Sequence, residues 1–137
     1  TIEPGERIAQ GVIMNVIGLA GVRVDRNYIA GSAGNASIIG FTNAMGAHAL
    51  DEGMRVLGVC PGAVQTERIT TMLKSRAKEE KGDEDRWQDY FSGMPLSRPA
   101  LVEEVADVVV FLCSDRASWL TGTTINLDGG VANRGGY

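Results

Sequence analysis

The feature that most constrains the fold of this chain is the alternation of short apolar runs with helical segments. Strands are predicted at residues 11–17, 54–60 and 121–127. The first of these is rich in β-branched residues and shows no polar alternation, which is typical of a strand buried on both faces of a parallel sheet. Helices are predicted at 27–50 and 102–113. Because strands that alternate with helices pair in parallel through right-handed crossovers, this order predicts an α/β fold.

The predicted helix at residues 27–50 lacks proline but contains four glycines, Gly31, Gly34, Gly40 and Gly46. Each of them costs about 1 kcal/mol relative to alanine inside a helix. Two explanations stay open. The small residues allow close packing against another backbone, or the helix begins later, near residue 33.

The segment 67–98 is rich in charged residues and contains two predicted helices. Its position after the second strand predicts a mobile lid beside a site at the end of that strand. Three aromatic residues, Trp87, Tyr90 and Phe91, lie together in the second of these helices. Either they wall an apolar substrate pocket, or they anchor the lid to the rest of the protein.

Length and charge limit the classes of protein that this chain can represent. It has 137 residues and a net charge of −4, so one domain is expected, with neither a nucleic-acid nor an anionic-membrane partner. No apolar run approaches the ~20 residues that cross a bilayer, and the polar first residues do not resemble a signal peptide. A cytoplasmic protein is therefore expected. Cys60 and Cys113 lack metal-ligand spacing and are expected to be buried, reduced thiols, with no metal site.

Several short motifs occur in an order that resembles the C-terminal half of the short-chain dehydrogenase/reductase family. They are Asn15 ahead of a turn that ends at Gly21, the stretch Pro61-Gly62-x-x-x-Thr66, Arg98-Pro99, Ser114-Asp115, and Asp128-Gly129-Gly130. The resemblance covers about residues 11–130. It implies a Rossmann-type parallel sheet with flanking helices, of which only the C-terminal strands are present. Residues 1–137 are then the C-terminal portion of a single Rossmann-type domain, with the lid at 67–98.

The resemblance also implies NAD(P)-dependent hydride transfer between an alcohol and a ketone. In the family, the stretch that corresponds to Pro61–Thr66, directly after the second predicted strand, lies against the nicotinamide. Loops at the carboxyl ends of parallel strands face the crevice where ligands bind, and glycine allows the backbone to approach a ring closely. The residues that the resemblance assigns to cofactor contact are Pro61, Gly62, Val64 and Thr66. The choice between NAD and NADP stays open.

The three catalytic positions of the family fall on different residues in this chain. An ungapped match places the family's serine on Gly18, its tyrosine on Gly31 and its lysine on Asn35. The family's chemistry uses a phenol whose pKa is lowered by a neighbouring cation. Residues 27–54 contain no lysine or arginine, so no shift of one or two residues restores the pair.

Tyr28 is the phenol nearest to these positions, about one helical turn before Gly31. Ser32 follows it at i+4, on the same helical face. These two residues are the candidate catalytic groups, and Asn35 is a candidate ligand of the cofactor ribose. Tyr28 is either a relocated acid or a packing residue at the start of the helix.

Two classes of function therefore stay open. One is an oxidoreductase whose partners are a nicotinamide dinucleotide and a small carbonyl compound or alcohol. The other is a non-catalytic protein of the same fold that serves in binding or assembly. The family's phosphate-binding glycine turn is absent from this sequence, so the chain alone is expected to be inactive. An open strand edge promotes association, and a homo-oligomer or a longer protein is expected.

Overall fold

The computed structural model describes residues 11–134 and contains one parallel sheet of three strands. The strands lie side by side in chain order, and every pair is parallel. The α/β order predicted from the sequence is therefore confirmed. The elements are β1 (Gly11–Val16), α1 (Ile29–Gly46), β2 (Met54–Pro61), α2 (Glu67–Lys81), α3 (Val102–Cys113) and β3 (Thr123–Leu127).

The central strand β2 forms the middle of the core because it has a neighbour on each side. Leu57 and Val59 are fully buried and pack against Leu112 of α3. Successive residues of a strand face opposite sides of the sheet, so Gly58, between Leu57 and Val59, faces α1. Asn15 of β1, which pairs with Gly58, donates a hydrogen bond of 2.9 Å to the Thr42 hydroxyl of α1. Helices thus flank the sheet on both faces.

The prediction that the first strand is buried on both faces is wrong for the described part of the chain. In β1, Ile13 is 40% exposed and Val16 is 68% exposed. Among the described residues β1 pairs with β2 alone, so it is an edge strand. The apolar composition of a strand does not reveal how many neighbours it has.

Helix α1 begins at Ile29, which excludes the later start near residue 33, and it ends at Gly46. A short 3₁₀ helix, Ala49–Glu52, completes the segment predicted as one helix. A Cβ atom on Gly46 would overlap the backbone of Gly122, which directly precedes β3. Close backbone packing therefore explains this glycine, whereas Gly34 has open space around it.

The second helix of the segment 67–98 is a 3₁₀ helix, Glu84–Gly93, that packs against α2. The hydroxyl of Tyr90 donates a hydrogen bond of 2.7 Å to Glu80, and Lys81 forms an ion pair of 3.0 Å with Asp89. These contacts fasten Tyr90 to α2, which belongs to the same segment 67–98, so they hold the segment together and do not test whether it is anchored to the rest of the protein.

The two cysteines differ in their surroundings. Cys60 is buried in β2, and burial raises the pKa of its thiol. Cys113 is exposed at the last position of α3, so the prediction of two buried thiols is wrong for Cys113. No helix of the described residues is both long and apolar enough to cross a bilayer.

Candidate active site

The carboxyl ends of the three strands meet at one edge of the sheet. Val16 pairs with Val59, and Pro61 pairs with Leu127. The turn after β1, the loop after β2 and the turn after β3 therefore lie next to one another. In open parallel sheets, ligands bind in the crevice outside this edge. The described structure thus brings Pro61 and Gly62 to the edge where a ligand site is expected, and Gly62 is the sequence-predicted site residue that lines the cavity there.

A cavity of about 590 Å³ opens at this edge. It lies between the loop after β2, the segment Met94–Arg98 and the turn that follows β3. Its volume falls in the range of small-molecule sites, about 300–1,000 Å³. Apolar side chains form much of its lining, and they include Leu19, Met94, Pro95, Leu96 and Val131.

An ion pair holds one wall of this cavity in place. Both terminal nitrogens of Arg98 donate to the carboxylate of Glu104, at 2.8 and 2.7 Å. The same carboxylate accepts a hydrogen bond of 2.7 Å from the backbone N–H of Leu101. Arg98, and secondarily the Leu101 N–H, lower the pKa of Glu104 to about 2. The contacts join the cavity wall to the first turn of α3.

The backbone of the cavity wall is strained at two positions. Leu96 has φ of 53° and Ser97 has φ of 52°, a left-handed conformation that costs residues with a Cβ about 1–3 kcal/mol. Leu96 is 83% exposed, so burial of its own side chain does not offset this cost. Such strain is concentrated at functional sites.

Tyr28 precedes α1, and its ring lies over Gly31. A Cβ atom added to Gly31 would overlap ring atoms of Tyr28. The ring therefore occupies the space into which any side chain at position 31 would project. Tyr28 is 51% exposed, so the residue is open to solvent.

Asn35 connects the other two substituted positions. Its Oδ1 accepts a hydrogen bond of 2.6 Å from the backbone N–H of Gly18. Its Nδ2 donates a hydrogen bond of 2.7 Å to the carbonyl oxygen of Gly31. The three positions that differ from the family pattern are thus neighbours in one small cluster. The sequence did not reveal these hydrogen bonds.

Ser32 is buried, unlike Tyr28, and its hydroxyl accepts a hydrogen bond of 3.1 Å from the backbone N–H of Asp25. Its own N–H donates to the carbonyl oxygen of Tyr28 at 2.8 Å. Ser32 therefore ties the loop before α1 to the first turn of the helix. This position supports Tyr28 through the backbone.

The loop after β2 is held by two neighbours. The N–H of Gly62 donates to the carbonyl oxygen of Leu127 at 3.0 Å. A parallel bridge joins Val64 to Ala100. The N–H of Gln65 donates to the carbonyl oxygen of Ala100 at 2.8 Å, and the N–H of Ala100 donates to the carbonyl oxygen of Ala63 at 2.9 Å. Because hydrogen bonds alternate along a strand, the bridge does not use the N–H and C=O of Val64, which face the other way.

Thr66 ends this loop and begins α2. Its hydroxyl oxygen accepts a hydrogen bond of 3.4 Å from the backbone N–H of Ile69, which makes Thr66 the N-cap of the helix. An N-cap side chain satisfies one of the free N–H groups at a helix start. Pro61, Gly62, Val64 and Thr66 therefore lie in sequence along one ordered loop.

Sequence reasoning missed the walls of the cavity. The aromatic residues suggested as a pocket wall do not line it, and the segment Met94–Arg98 does. Arg98 ahead of Glu104 was a usable signal, because an arginine and a carboxylate near a helix start often form a pair. The strain at Leu96 had no sequence signal. Within residues 11–134 no cluster of potential metal ligands occurs.

The fold and this edge define a Rossmann-like α/β protein, and comparisons with known proteins identify its family. The family model described as enoyl-(acyl carrier protein) reductase matches residues 3–132. A 3-oxoacyl-(acyl-carrier-protein) reductase of Chlamydia trachomatis is 31% identical over 131 residues, covering 96% of this chain and 49% of the relative. An uncharacterized oxidoreductase of Thermotoga maritima is 33% identical over 130 residues, covering 94% and 50%.

Solved structures show the same likeness. A short chain dehydrogenase family protein from Francisella tularensis has a TM-score of 0.83 and 26% identity, covering 92% of this chain and 52% of that one. Actinorhodin polyketide ketoreductase with NADPH has a TM-score of 0.82 and 26% identity, covering 92% and 49%. The chain belongs to the short-chain dehydrogenase/reductase family. It spans about half the length of the curated relatives it matches.

Proposed function

We propose that the complete protein is an NAD(P)-dependent oxidoreductase that transfers a hydride between an alcohol and a ketone. The observation that carries the proposal is the meeting of an apolar cavity, the Gly62 loop and the end of β1 at one edge of the sheet. The names of its relatives agree with this chemistry, since they include reductases and a ketoreductase with NADPH.

The loop after β2 fits a nicotinamide. The bridge to Ala100 leaves the N–H and C=O of Val64 directed away from Ala100, and a carboxamide offers the matching acceptor and donor. Gly62 lies close to the next turn, because a Cβ on it would be 3.2 Å from the Cα of Asp128. The loop is therefore fixed in place before binding. We assign Pro61, Gly62, Val64 and Thr66 to cofactor contact, and the bound nicotinamide supplies or accepts the hydride.

Tyr28 is the proposed acid of the reaction. Its hydroxyl gives a proton to the carbonyl oxygen as that oxygen gains charge, and its 51% exposure allows water to return the proton. Ser32 keeps the first turn of α1 attached to the preceding loop through Asp25. Its role is to position Tyr28. The cation that assists the phenol in the family is not supplied by residues 27–54.

The substrate is an alcohol or ketone with an apolar body, because apolar side chains dominate the cavity lining. The segment 67–98 acts as the lid, and its end, Met94–Arg98, forms the cavity wall. Contacts of Tyr90 with Glu80 and of Lys81 with Asp89 join the two helices of this segment, so it is proposed to move as one unit. Residues 1–137 are proposed to be the C-terminal portion of one Rossmann-type domain.

Assembly and location are proposed from surface features. Helix α1 exposes Ile38, Phe41 and Met45, at 39%, 51% and 45%, and an apolar surface of this kind favours a homo-oligomer. The two free thiols, Cys60 and Cys113, are typical of a reducing compartment such as the cytoplasm.

The test is hydride transfer by the full-length gene product. NADH and NADPH are each supplied with a panel of aliphatic and aromatic ketones, and oxidation of the dinucleotide is followed by absorbance. Turnover is expected with at least one ketone, and Tyr28→Phe is expected to lower kcat by about 100-fold. Dinucleotide binding without turnover of any ketone or alcohol would favour a non-catalytic binding or assembly protein. Wild-type turnover unaffected by Tyr28→Phe would remove Tyr28 from the mechanism.

A further inference from the structure

The side-chain amide of Asn35 has one defined orientation. Its oxygen accepts from the N–H of Gly18 at 2.6 Å, and its nitrogen donates to the carbonyl oxygen of Gly31 at 2.7 Å. A backbone N–H can only donate and a carbonyl can only accept, so exchanging the two amide atoms would break both contacts. The NH₂ group has a second hydrogen, which the bond to Gly31 does not use.

The amide of Asn35 also lies where a side chain at position 18 would project. A Cβ atom on Gly18 would be 3.1 Å from Oδ1 of Asn35 and 3.3 Å from its Nδ2. Position 18 follows β1 at the carboxyl edge of the sheet, and the next residue, Leu19, lines the cavity. The polar group beside Gly18 is thus the side-chain amide of a residue in α1.

We infer that the second N–H of Asn35 Nδ2 donates a hydrogen bond to the carbonyl oxygen of the substrate. The inference rests on the proposed function and deepens it. It gives Asn35 a contact with the substrate, whereas the sequence suggested one with the ribose. Asn35 is neutral and holds this geometry in the free protein, so its donor needs no reorganisation when the reaction occurs.

The proton and the electrons balance with Asn35 unchanged. When a hydride adds to the carbonyl carbon, the C=O π pair moves to the oxygen, and the reduced dinucleotide is oxidised. That oxygen takes the proton of the Tyr28 hydroxyl, and water returns a proton to Tyr28. Asn35 stabilises the oxygen while charge develops and keeps both of its hydrogens. Alcohol oxidation follows the same steps in reverse.

Substitution of Asn35 separates this role from one in cofactor binding. Removing a hydrogen-bond donor that stabilises a developing oxyanion lowers kcat by about 10²–10³-fold. Asn35→Ala and Asn35→Asp in the full-length protein are therefore expected to lower kcat about 100-fold, with the Kd of NADH or NADPH within twofold of wild type. Asn43→Ala, at an exposed asparagine of the same helix, is the control and leaves kcat unchanged. A weaker Kd with unchanged kcat would overturn the inference and indicate a ribose contact.

A pair of double variants tests whether the amide stands in for a hydroxyl. Asn35→Ala combined with Gly18→Ser differs by one oxygen atom from Asn35→Ala combined with Gly18→Ala. The serine variant is expected to have a kcat at least about tenfold higher, since a hydroxyl restores one donor. Equal kcat values for the two double variants would contradict the inference.

A readout without turnover separates this inference from the proposed function. The probe is ¹³C-carbonyl cyclohexanone, bound to the full-length protein with oxidised dinucleotide and examined by infrared difference spectroscopy. The carbonyl stretch is expected at lower frequency in wild type than in Asn35→Ala. An identical or absent bound signal in both proteins would overturn the inference. A shift that depends on Asn35, without turnover of any ketone, would overturn the proposed function alone.

Discussion

The guanidinium of Arg55 donates a hydrogen bond of 2.6 Å to the carbonyl oxygen of Leu112, and this contact joins the central strand to the end of α3. The same group donates to the carbonyl oxygens of Ala117, Cys113 and Ser114, each at 3.1 Å. An α-helix leaves its last carbonyl groups without donors and carries partial negative charge there. Arg55, which is 1% exposed, satisfies these groups inside the protein.

Replacing Arg55 is therefore expected to destabilise the fold. Arg55→Met keeps much of the apolar stem but leaves buried carbonyl oxygens unsatisfied, which lowers the free energy of unfolding by about 3 kcal/mol. Urea unfolding of the full-length protein measures this free energy of unfolding. Arg116→Met, at an exposed arginine, serves as the control and changes the free energy by less than about 0.5 kcal/mol. Equal effects of both substitutions would contradict this account of Arg55.

Two glycines of α1 are expected to respond differently to the same substitution. Gly31→Ala places a methyl group where the Tyr28 ring lies, whereas Gly34→Ala meets open space. Both changes favour the helix by about 1 kcal/mol. We expect Gly31→Ala to turn the Tyr28 ring out into solvent and to lower kcat as strongly as Tyr28→Phe. Gly34→Ala raises Tm and keeps kcat. Equal kcat values for the two alanine variants would show that the ring position is unimportant.

The Arg98–Glu104 pair predicts a particular dependence of stability on pH. The folded-state pKa of Glu104 is lowered from 4.5 to about 2, so the contribution of its carboxylate is present above about pH 4.5. It is lost as pH falls through the folded pKa. Glu104→Gln removes this contribution, so the stability difference between wild type and variant shrinks from pH 5 to pH 2. Urea unfolding of both proteins at a series of pH values measures this stability difference. A difference that stays constant with pH would contradict the pairing of Arg98 with Glu104.

At the strained position Leu96, we expect glycine to be more stable than alanine, the reverse of their order in helices and strands. In helices and strands, glycine is less stable than alanine by about 0.5–1 kcal/mol. At φ of 53°, alanine carries the cost of its Cβ and glycine does not. We expect Leu96→Gly to be more stable than Leu96→Ala by about 1 kcal/mol, measured by chemical unfolding. A lower stability of the glycine variant would indicate that the wall relaxes when Leu96 is removed.

Much of the fold could be predicted because the local pattern and the tertiary structure agree. Apart from Arg55, the central strand β2 is an apolar run, and Pro61 with Gly62 marks its end, so the prediction lies within one residue of the observed strand. Strand β1 was predicted with the same signal, yet it lies at an edge of the described sheet. The number of neighbours depends on the rest of the sheet, which a strand's own residues do not encode.

The candidate site could be predicted only in part. The loop from Pro61 to Thr66 was found because its residues follow one another and carry a family motif. The contact of Tyr28 with Gly31 and the bonds of Asn35 depend on side-chain directions at the start of α1. A helix start that moves by one residue turns each side chain by about 100°, and boundaries are the least certain part of a prediction.

The sequence by itself determined the order of strands and helices, the parallel sheet and the family, because periodicity and motifs act over a few residues. The tertiary structure decided which groups occupy the places of the family's serine and tyrosine side chains, which this chain lacks at positions 18 and 31. Position 18 receives its polar neighbour from Asn35, 17 residues later, and the space above Gly31 is filled by Tyr28. The cavity likewise joins residues from Leu19 to Val131. Such contacts exist only after the helices pack on the sheet, which brings distant side chains together.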